Sequence, residues 1–427
     1  MEGPSVLLVL ALAAAAVQGF LLFLALFGPT HRYKITRSPK IQLDSPEFVQ
    51  AIEILADARV YKGNRVEVLD DGPVFYEAEL EAIRQARRSV NLEAYIFQKG
   101  EVTRRFLAAL TERARAGVKV NLVLDSVGSF ASWNSYFRDL RAAGGRLAWY
   151  HDFRWHSWPR YNNRTHRELI VIDGSIGFIG GAGFADNWLK GRRQRPRWRD
   201  TMFGVEGPAV AGMQATFAEN WLEASGEILF GKEYFPLCEP RGETAAMIVN
   251  SSPSAGASTR ARMLFQTLLA SAQREILITT PYFLPDSSAR AEMVRAVRER
   301  GVDLRVIAPG RHNDHLLTRR SSRRLYGELL RGGVRIYEYR PSMIHTKSMV
   351  VDGLWSVVGS TNFDHRSFGL NDEVNLAADD AALAGRLKED FERDLARCRE
   401  ITLRQWIRRS LWERLHEWLG WTLERQQ

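Results

Sequence analysis

Cysteine is almost missing: the 427-residue chain has two, Cys238 and Cys398. Two thiols build neither a disulfide framework nor a metal-binding spacing, and they agree with a reducing compartment. Carboxylates and Cys/His ligands form no compact cluster along the chain either, so the expectation is no metal and no cofactor. Charge is missing from one long stretch, Ser5–Phe27, which only Gln18 and Gly19 interrupt. As a helix it would reach about 34 Å, enough for a bilayer. Arg32, Lys34, Arg37 and Lys40 follow it, and only Glu2 precedes it. That asymmetry predicts a retained membrane anchor with the protein body on the cytoplasmic side. A cleaved signal peptide, the rival, should begin with a basic region, and this one does not. What remains is 45% hydrophobic with a net charge of +9. That is enough apolar material for two fused domains, with a balance suited to an anionic partner, membrane surface or nucleic acid.

Against this background one pattern occurs twice. His345-Thr346-Lys347 runs through Met349–Val351 to Asp352, and Gly359-Ser360-Thr361-Asn362 follows. Earlier, His166-Arg167-Glu168 runs through Leu169–Ile172 to Asp173, and Gly180-Gly181-Ala182-Gly183 follows. The two histidines are 179 residues apart, a domain's length. Each β-branched run bounded by Asp-Gly predicts a buried strand ending in a turn. Residues i and i+2 share a strand face, so His345 and Lys347 point together, as do His166 and Glu168. A His beside a Lys suits a phosphodiester: imidazole attacks phosphorus or protonates a leaving oxygen, and ammonium holds a non-bridging oxygen. Ser360 and Asn362 would add neutral donors for the phosphate. A lone His-x-Lys is usually ordinary surface; two matched copies are not.

The repeat extends beyond the motifs. Val90–Phe97 matches Ile276–Phe283, a helical stretch follows each, and then Gly117–Leu122 matches Gly301–Val306. Alternating strands and helices predict an α/β layered fold. The expected divisions are 1–29 (anchor), 30–64 (juxtamembrane), 65–235 (first half), 236–260 (linker), 261–400 (second half) and 401–427. The last reads as an amphipathic helix, with leucines from Leu403 to Leu423, Trp406, Trp412, Trp418 and Trp421, and Arg404, Arg408, Arg409 and Arg414 opposite. It suits a membrane interface, or packing on the protein itself.

These residues resemble the phospholipase D superfamily. Ile278–Pro285, Arg199–Thr201, Glu206–Val210 and Asn371–Leu376 look like its bacterial cardiolipin synthase branch, over roughly 65–400. The resemblance implies two α/β/α halves about a pseudo-twofold axis, with both histidines facing one phosphate. It implies double displacement: one His attacks phosphorus, and the other protonates the leaving alcohol and then deprotonates the incoming one. It also implies an orienting carboxylate for each ring, Glu373 for His345 and Asp200 for His166. Asp173 and Asp352 belong to the signature and are expected to support the site by capping turns. The implied activity is transfer between two phosphatidylglycerols, giving cardiolipin and glycerol, on a membrane and without nucleic acid. The alternatives are a hydrolase of the same superfamily and a non-catalytic lipid-binding protein.

The His166 copy departs twice from the pattern, with Glu168 for Lys and Gly183 for Asn. Glu168 is expected to be protonated, to pair with Arg164, Arg197 or Arg199, to bind a substrate hydroxyl, or to mark a degenerate half-site. A charged Glu168 would favour an imidazolium at His166, and Lys347 a neutral His345, which assigns His345 as nucleophile and His166 as acid. Trp155, Trp158, Arg160, Tyr161 and Arg164 could line an entrance, and the run from Arg192 to Arg199 could hold a second lipid phosphate. Arg319, Arg320, Arg323 and Arg324 read as a helix face.

Overall fold

The computed structural model describes residues 6–27, 33–35, 41–152, 162–191, 196–253, 259–414 and 417. The first half contributes strands Val60–Asp70 (β1), Ser89–Ala94 (β2), Lys119–Asp125 (β3), Arg146–Tyr150 (β4), Glu168–Ile172 (β5), Ile176–Gly180 (β6) and Thr201–Glu206 (β7). The second contributes Thr244–Ser251 (β8), Glu275–Thr279 (β9), Asp303–Pro309 (β10), Arg335–Tyr339 (β11), Ser348–Val351 (β12), Trp355–Gly359 (β13), Glu373–Asp379 (β14) and Cys398–Glu400 (β15). They form one sheet in the order β15-β11-β10-β9-β12-β13-β14-β8-β1-β7-β6-β5-β2-β3-β4. Outward from the central antiparallel pair β8–β1, each half repeats the other: β14 answers β7, β13 answers β6, β12 answers β5 and β9 answers β2. This is the expected pseudo-twofold arrangement.

The motif strands are apolar throughout because both faces of the sheet are covered. Leu169 and Val171 join one core, and Ile170 and Ile172 another. In β12, Met349 and Val351 face one core and Val350 the other. Helices Val210–Ser225 and Ala381–Leu395 cover the face shared by the halves, through Phe217, Trp221, Leu387 and Phe391. Each motif strand ends in a tight hairpin with Asp and Gly both at positive φ: Asp173 at 52° and Gly174 at 65°, Asp352 at 55° and Gly353 at 66°. Asp tolerates that conformation better than most side chains.

Several expected divisions move. The apolar strand β8 lies inside 236–260, so this segment is a central part of the sheet instead of a linker. Helix Pro46–Ala56 buries Phe48, Ile52 and Ala56 in the second-half core, so 30–64 is folded protein at least from there on. At the C-terminus the expected continuous helix breaks after Ile407 and helix resumes over 411–414. Trp406 packs against Gly327, donates to the Arg323 carbonyl at 2.7 Å and carries the Arg409 guanidinium 3.6 Å over its ring. This part packs on the protein, while Leu411 and Trp412 are exposed; Trp418 and Trp421 lie outside the described residues.

At the other end, Val6–Phe27 is a helix of 22 residues. Among the described residues no helix is long and apolar enough to cross a membrane. The expected span over 1–29 is therefore not established by the fold; side chains 7, 21–22 and 24–27 of this helix lie outside the described set.

Candidate active site

Two backbone exchanges bring the motifs together. The N–H of His166 donates to the Asp372 carbonyl at 2.9 Å, and that of Asp372 to Arg164 at 2.9 Å. Symmetrically, the N–H of His345 donates to Arg199 at 2.7 Å, and that of Arg199 to Met343 at 2.8 Å. The residue before each orienting carboxylate is thus stitched to the residue before the histidine of the opposite half.

The carboxylates follow the stitching. His345 Nδ1 lies 3.0 Å from Asp200 Oδ2, and His166 Nδ1 lies 3.2 Å from Glu373 Oε2. The expected assignment is therefore reversed: Asp200 orients His345 and Glu373 orients His166. Asp200 is fixed by Trp188 Nε1 and the Thr201 N–H, each at 2.9 Å. Burial pushes its carboxyl up, but the His345 bond, the His345 charge and Lys347 outweigh this and hold it below the usual range. The Ser360 hydroxyl donates to Glu373 and its oxygen accepts the Val374 N–H at 3.0 Å. Ser360 is thus spent on the orienter and is not the phosphate donor expected of it. Its carbonyl also meets His166 Nδ1 at 3.1 Å. Both Nδ1 atoms are engaged, which leaves each Nε2 for chemistry.

Lys347 crosses the seam. Its Nζ lies 3.0 Å from His345 Nδ1 and 3.4 Å from Nε2. It fills the space where a Cβ on Gly181, the counterpart of Ser360, would stand 2.6 Å away. Burial first, and then Lys347, pull the His345 pKa below its ordinary value. Burial likewise pulls Lys347 down, opposed by Asp200, Glu373 and Glu168. Asn362 is buried, and its Oδ1 has no partner among the described residues.

Glu168 reaches neither histidine nor arginine. Its Oε1 accepts the N–H groups of Tyr95 at 3.2 Å and Ile96 at 3.3 Å, and burial raises its pKa well above 4.5. Burial thus disfavours its charged form, which weakens the charge it could lend His166. The three arginines are engaged elsewhere: Arg164 with Asp125 and Ser126, Arg197 with Asp71, Arg199 with Asp394 and Asp70. Arg199 is buried in these pairs and accordingly not placed to hold a second lipid phosphate; Arg197 remains exposed. Residues 192–195, and the aromatic entrance at Trp155, Trp158, Arg160 and Tyr161, lie outside the described residues.

Asp173 and Asp352, grouped with the catalytic residues by the motif, stand at the far ends of β5 and β12. Asp173 accepts three N–H groups, from Arg87, Arg88 and Ser89; Asp352 accepts three from Gln273, Arg274 and Glu275. They tie each hairpin to the start of the neighbouring strand and are structural.

Other groups at the site carried little signal. Asp364, two residues beyond Asn362, is buried beside Glu373 and His166, and burial lifts its pKa to about 6. Ring centroids of Trp188, Trp198 and Tyr282 lie 5.3, 5.6 and 6.3 Å from that of His345, and Tyr95 lies 5.2 Å from His166. A cavity of about 470 Å³ opens beside this wall, lined by Trp198, Met343, Asp314 and Leu316. Among the described residues no group of three His, Cys, Asp or Glu could hold a metal ion.

Two histidines, crossed carboxylates and one shared lysine make a site that can exchange a phosphoryl group between oxygens. Comparison with known proteins agrees. The family described as "Cardiolipin synthase, PLD-like domain" matches residues 80–212 and 265–395, spans that contain both motifs. The chain belongs to this family. Within the cardiolipin synthase family, it is 33% identical to a cardiolipin synthase of Listeria monocytogenes over 83% of this chain and 73% of that protein. It is 31% identical to the major cardiolipin synthase of Bacillus subtilis, over 88% and 78% respectively. In fold it is similar to a phosphatidylserine synthase of Haemophilus influenzae, with a TM-score of 0.64 at 12% identity, covering 88% of this chain and 99% of that one.

Proposed function

We propose that the protein transfers a phosphatidyl group from one phosphatidylglycerol to the glycerol hydroxyl of another, yielding cardiolipin and glycerol. The observation that carries this is the crossed pairing of two histidines with Asp200 and Glu373 around a single Lys347. His345 Nε2 attacks phosphorus. Its ring is buried and its pKa depressed, which favours the neutral nucleophile, and Asp200 at Nδ1 stabilises the charge that forms. The bond from phosphorus to the glycerol oxygen breaks, and His166 Nε2 supplies that oxygen with a proton. Glycerol leaves and a phosphatidyl-His345 remains. His166 then takes the proton from the incoming hydroxyl, which attacks phosphorus and releases His345. Lys347 and the Asn362 amide hold the non-bridging oxygens.

Glu168 fits an intact site better than a decayed one. Its two N–H donors and the space at Gly183 form one consistent arrangement. Helix Val6–Phe27 supplies the membrane attachment: its side chains include exposed Val9, Leu10, Leu12, Val17 and Phe20, an apolar surface suited to lipid. The basic residues after it favour the cytoplasmic side for the body.

The test is incubation of the purified protein with phosphatidylglycerol vesicles, with lipids read by mass spectrometry. Cardiolipin and glycerol are expected. Phosphatidic acid would assign hydrolysis instead, and no product would assign a non-catalytic protein.

A further inference from the structure

A second basic cavity lies away from the histidines, at the edge of the second half. It encloses about 460 Å³ between the end of β10, the end of β11, strand β15 and the helices Leu316–Arg331 and Leu403–Ile407. That volume is in the range of small-molecule sites. Six arginines line it: Arg311, Arg319, Arg323, Arg340, Arg399 and Arg409. The lining carboxylates are Glu338 and Glu413, so positive charge is in excess.

That excess is unevenly neutralised. Glu338 accepts Arg323 at 2.6 Å and lies 3.6 Å from Arg319. Arg409 is held by Glu417 at 2.7 Å and by the Trp406 ring. These contacts fix three guanidinium groups in place. Arg311, Arg340 and Arg399 meet no carboxylate within 4.0 Å among the described residues, and all three are exposed. Arg319 Nε is buried without a hydrogen-bond partner among the described residues. Arg311 Nε donates to His312 Nε2 at 3.2 Å. A pre-set wall of guanidinium groups beside three that no described carboxylate neutralises is the arrangement that planar, multidentate recognition of a phosphate requires. Bringing like charges together costs free energy, and a bound anion offsets it. Arg311 also lines the cavity beside Trp198 and Met343, so the basic surface continues toward the active site. The described exposed apolar residues Leu411 and Trp412 lie just beyond Arg409.

We propose that this cavity is a non-catalytic phosphate-binding site, taking a phosphate monoester or diester through Arg311, Arg340 and Arg399. The phosphate comes either from an anionic lipid headgroup or from a soluble phosphate. The proposal does not depend on the transfer reaction, because binding here involves neither histidine.

The test compares three full-length proteins in a zwitterionic detergent, all carrying His345→Ala to prevent turnover. One also carries Arg340→Glu and Arg399→Glu, two exposed positions. Each is titrated calorimetrically with dihexanoyl-phosphatidylglycerol below its micelle concentration, and separately with inorganic phosphate. A third protein carries Arg104→Glu and Arg115→Glu in the same background; these exposed residues on helix Glu101–Arg115 match the charge change at a remote surface. The expected result is at least tenfold weaker binding in the Arg340/Arg399 variant and unchanged binding in the Arg104/Arg115 variant. Loss confined to the lipid titration identifies a headgroup site; loss in the phosphate titration identifies a soluble ligand. Equal binding by all three, or equal loss in both charge variants, overturns the proposal.

Discussion

The two half-sites occupy equivalent places in the sheet and solve opposite hydrogen-bonding problems. In the first half Glu168 is an acceptor, and the turn after β2 offers it the N–H groups of Tyr95 and Ile96. In the second half Lys347 is a donor, and the residue matching Tyr95 is Pro281, which has no N–H. Gly183 leaves room that Asn would not: a Cβ there would lie 2.6 Å from Ile96 Cβ and 3.1 Å from Glu168 Oε1. Gly181 leaves room for Lys347 in the same way. The substitution at Glu168 is therefore one element of a locally consistent set. One lysine serves both halves, and the second half carries the anion grip for the pair.

The comparison breaks most visibly at the histidines. His345→Ala and His166→Ala should each lower turnover by roughly 10⁴-fold. A nearly unaffected His166→Ala protein would end the idea that the halves form one site. The crossed orienters come next. Asp200→Asn should cost about 10²–10⁴-fold by disturbing the His345 ring, and Glu373→Gln should act through His166. Proton NMR of the two rings separates them: Asp200→Asn should shift the His345 resonances and leave those of His166 in place. The reverse pattern would contradict the crossing.

Glu168→Lys sharpens the contrast. It would set a buried ammonium against two N–H donors without an acceptor, and should destabilise the fold by about 3 kcal/mol. If the half-site were merely degenerate, the same change would restore activity instead; denaturant midpoints together with rates distinguish the two.

The His345 titration is a smaller effect with a definite sign. Burial and Lys347 lower this pKa, and Asp200 opposes them. Lys347→Met should therefore raise the ring's titration midpoint, and Asp200→Asn should lower it further, both readable by NMR.

Glu168→Gln should change least, keeping both accepted hydrogen bonds with turnover within about threefold. Its stability difference should depend on pH. The Glu168 pKa is raised on folding from an ordinary 4.5, so its contribution is full below about that pH and is lost as pH rises toward the folded value. Urea midpoints of wild type should fall relative to Glu168→Gln between pH 4.5 and neutrality.

The repeat, the motif strands and the Asp-Gly turns were legible because they rest on local rules: alternation of faces, β-branched runs and turn chemistry. Asp200 and Glu373 were legible as orienters, but their partners were not. The exchange between Arg199 and Ile344, and between Thr165 and Asp372, joins residues far apart in sequence, and no local pattern encodes it. Ser360 read as a phosphate donor because its hydroxyl's use on Glu373 depends on that same juxtaposition. Strand β8 was hidden by flanking prolines, although Ala-Ala-Met-Ile-Val is a plain apolar run. The side that Trp406 faces, membrane or protein, was open in the sequence because its seat against Gly327 is a tertiary contact.

The central claim is a division of labour in which His345 bonds to phosphorus and His166 moves protons. Rapid-quench turnover of phosphatidylglycerol, followed by peptide mass spectrometry, tests it directly. A phosphatidyl or phosphate adduct on the peptide containing His345 is the predicted result; an adduct on the peptide containing His166 would contradict the account.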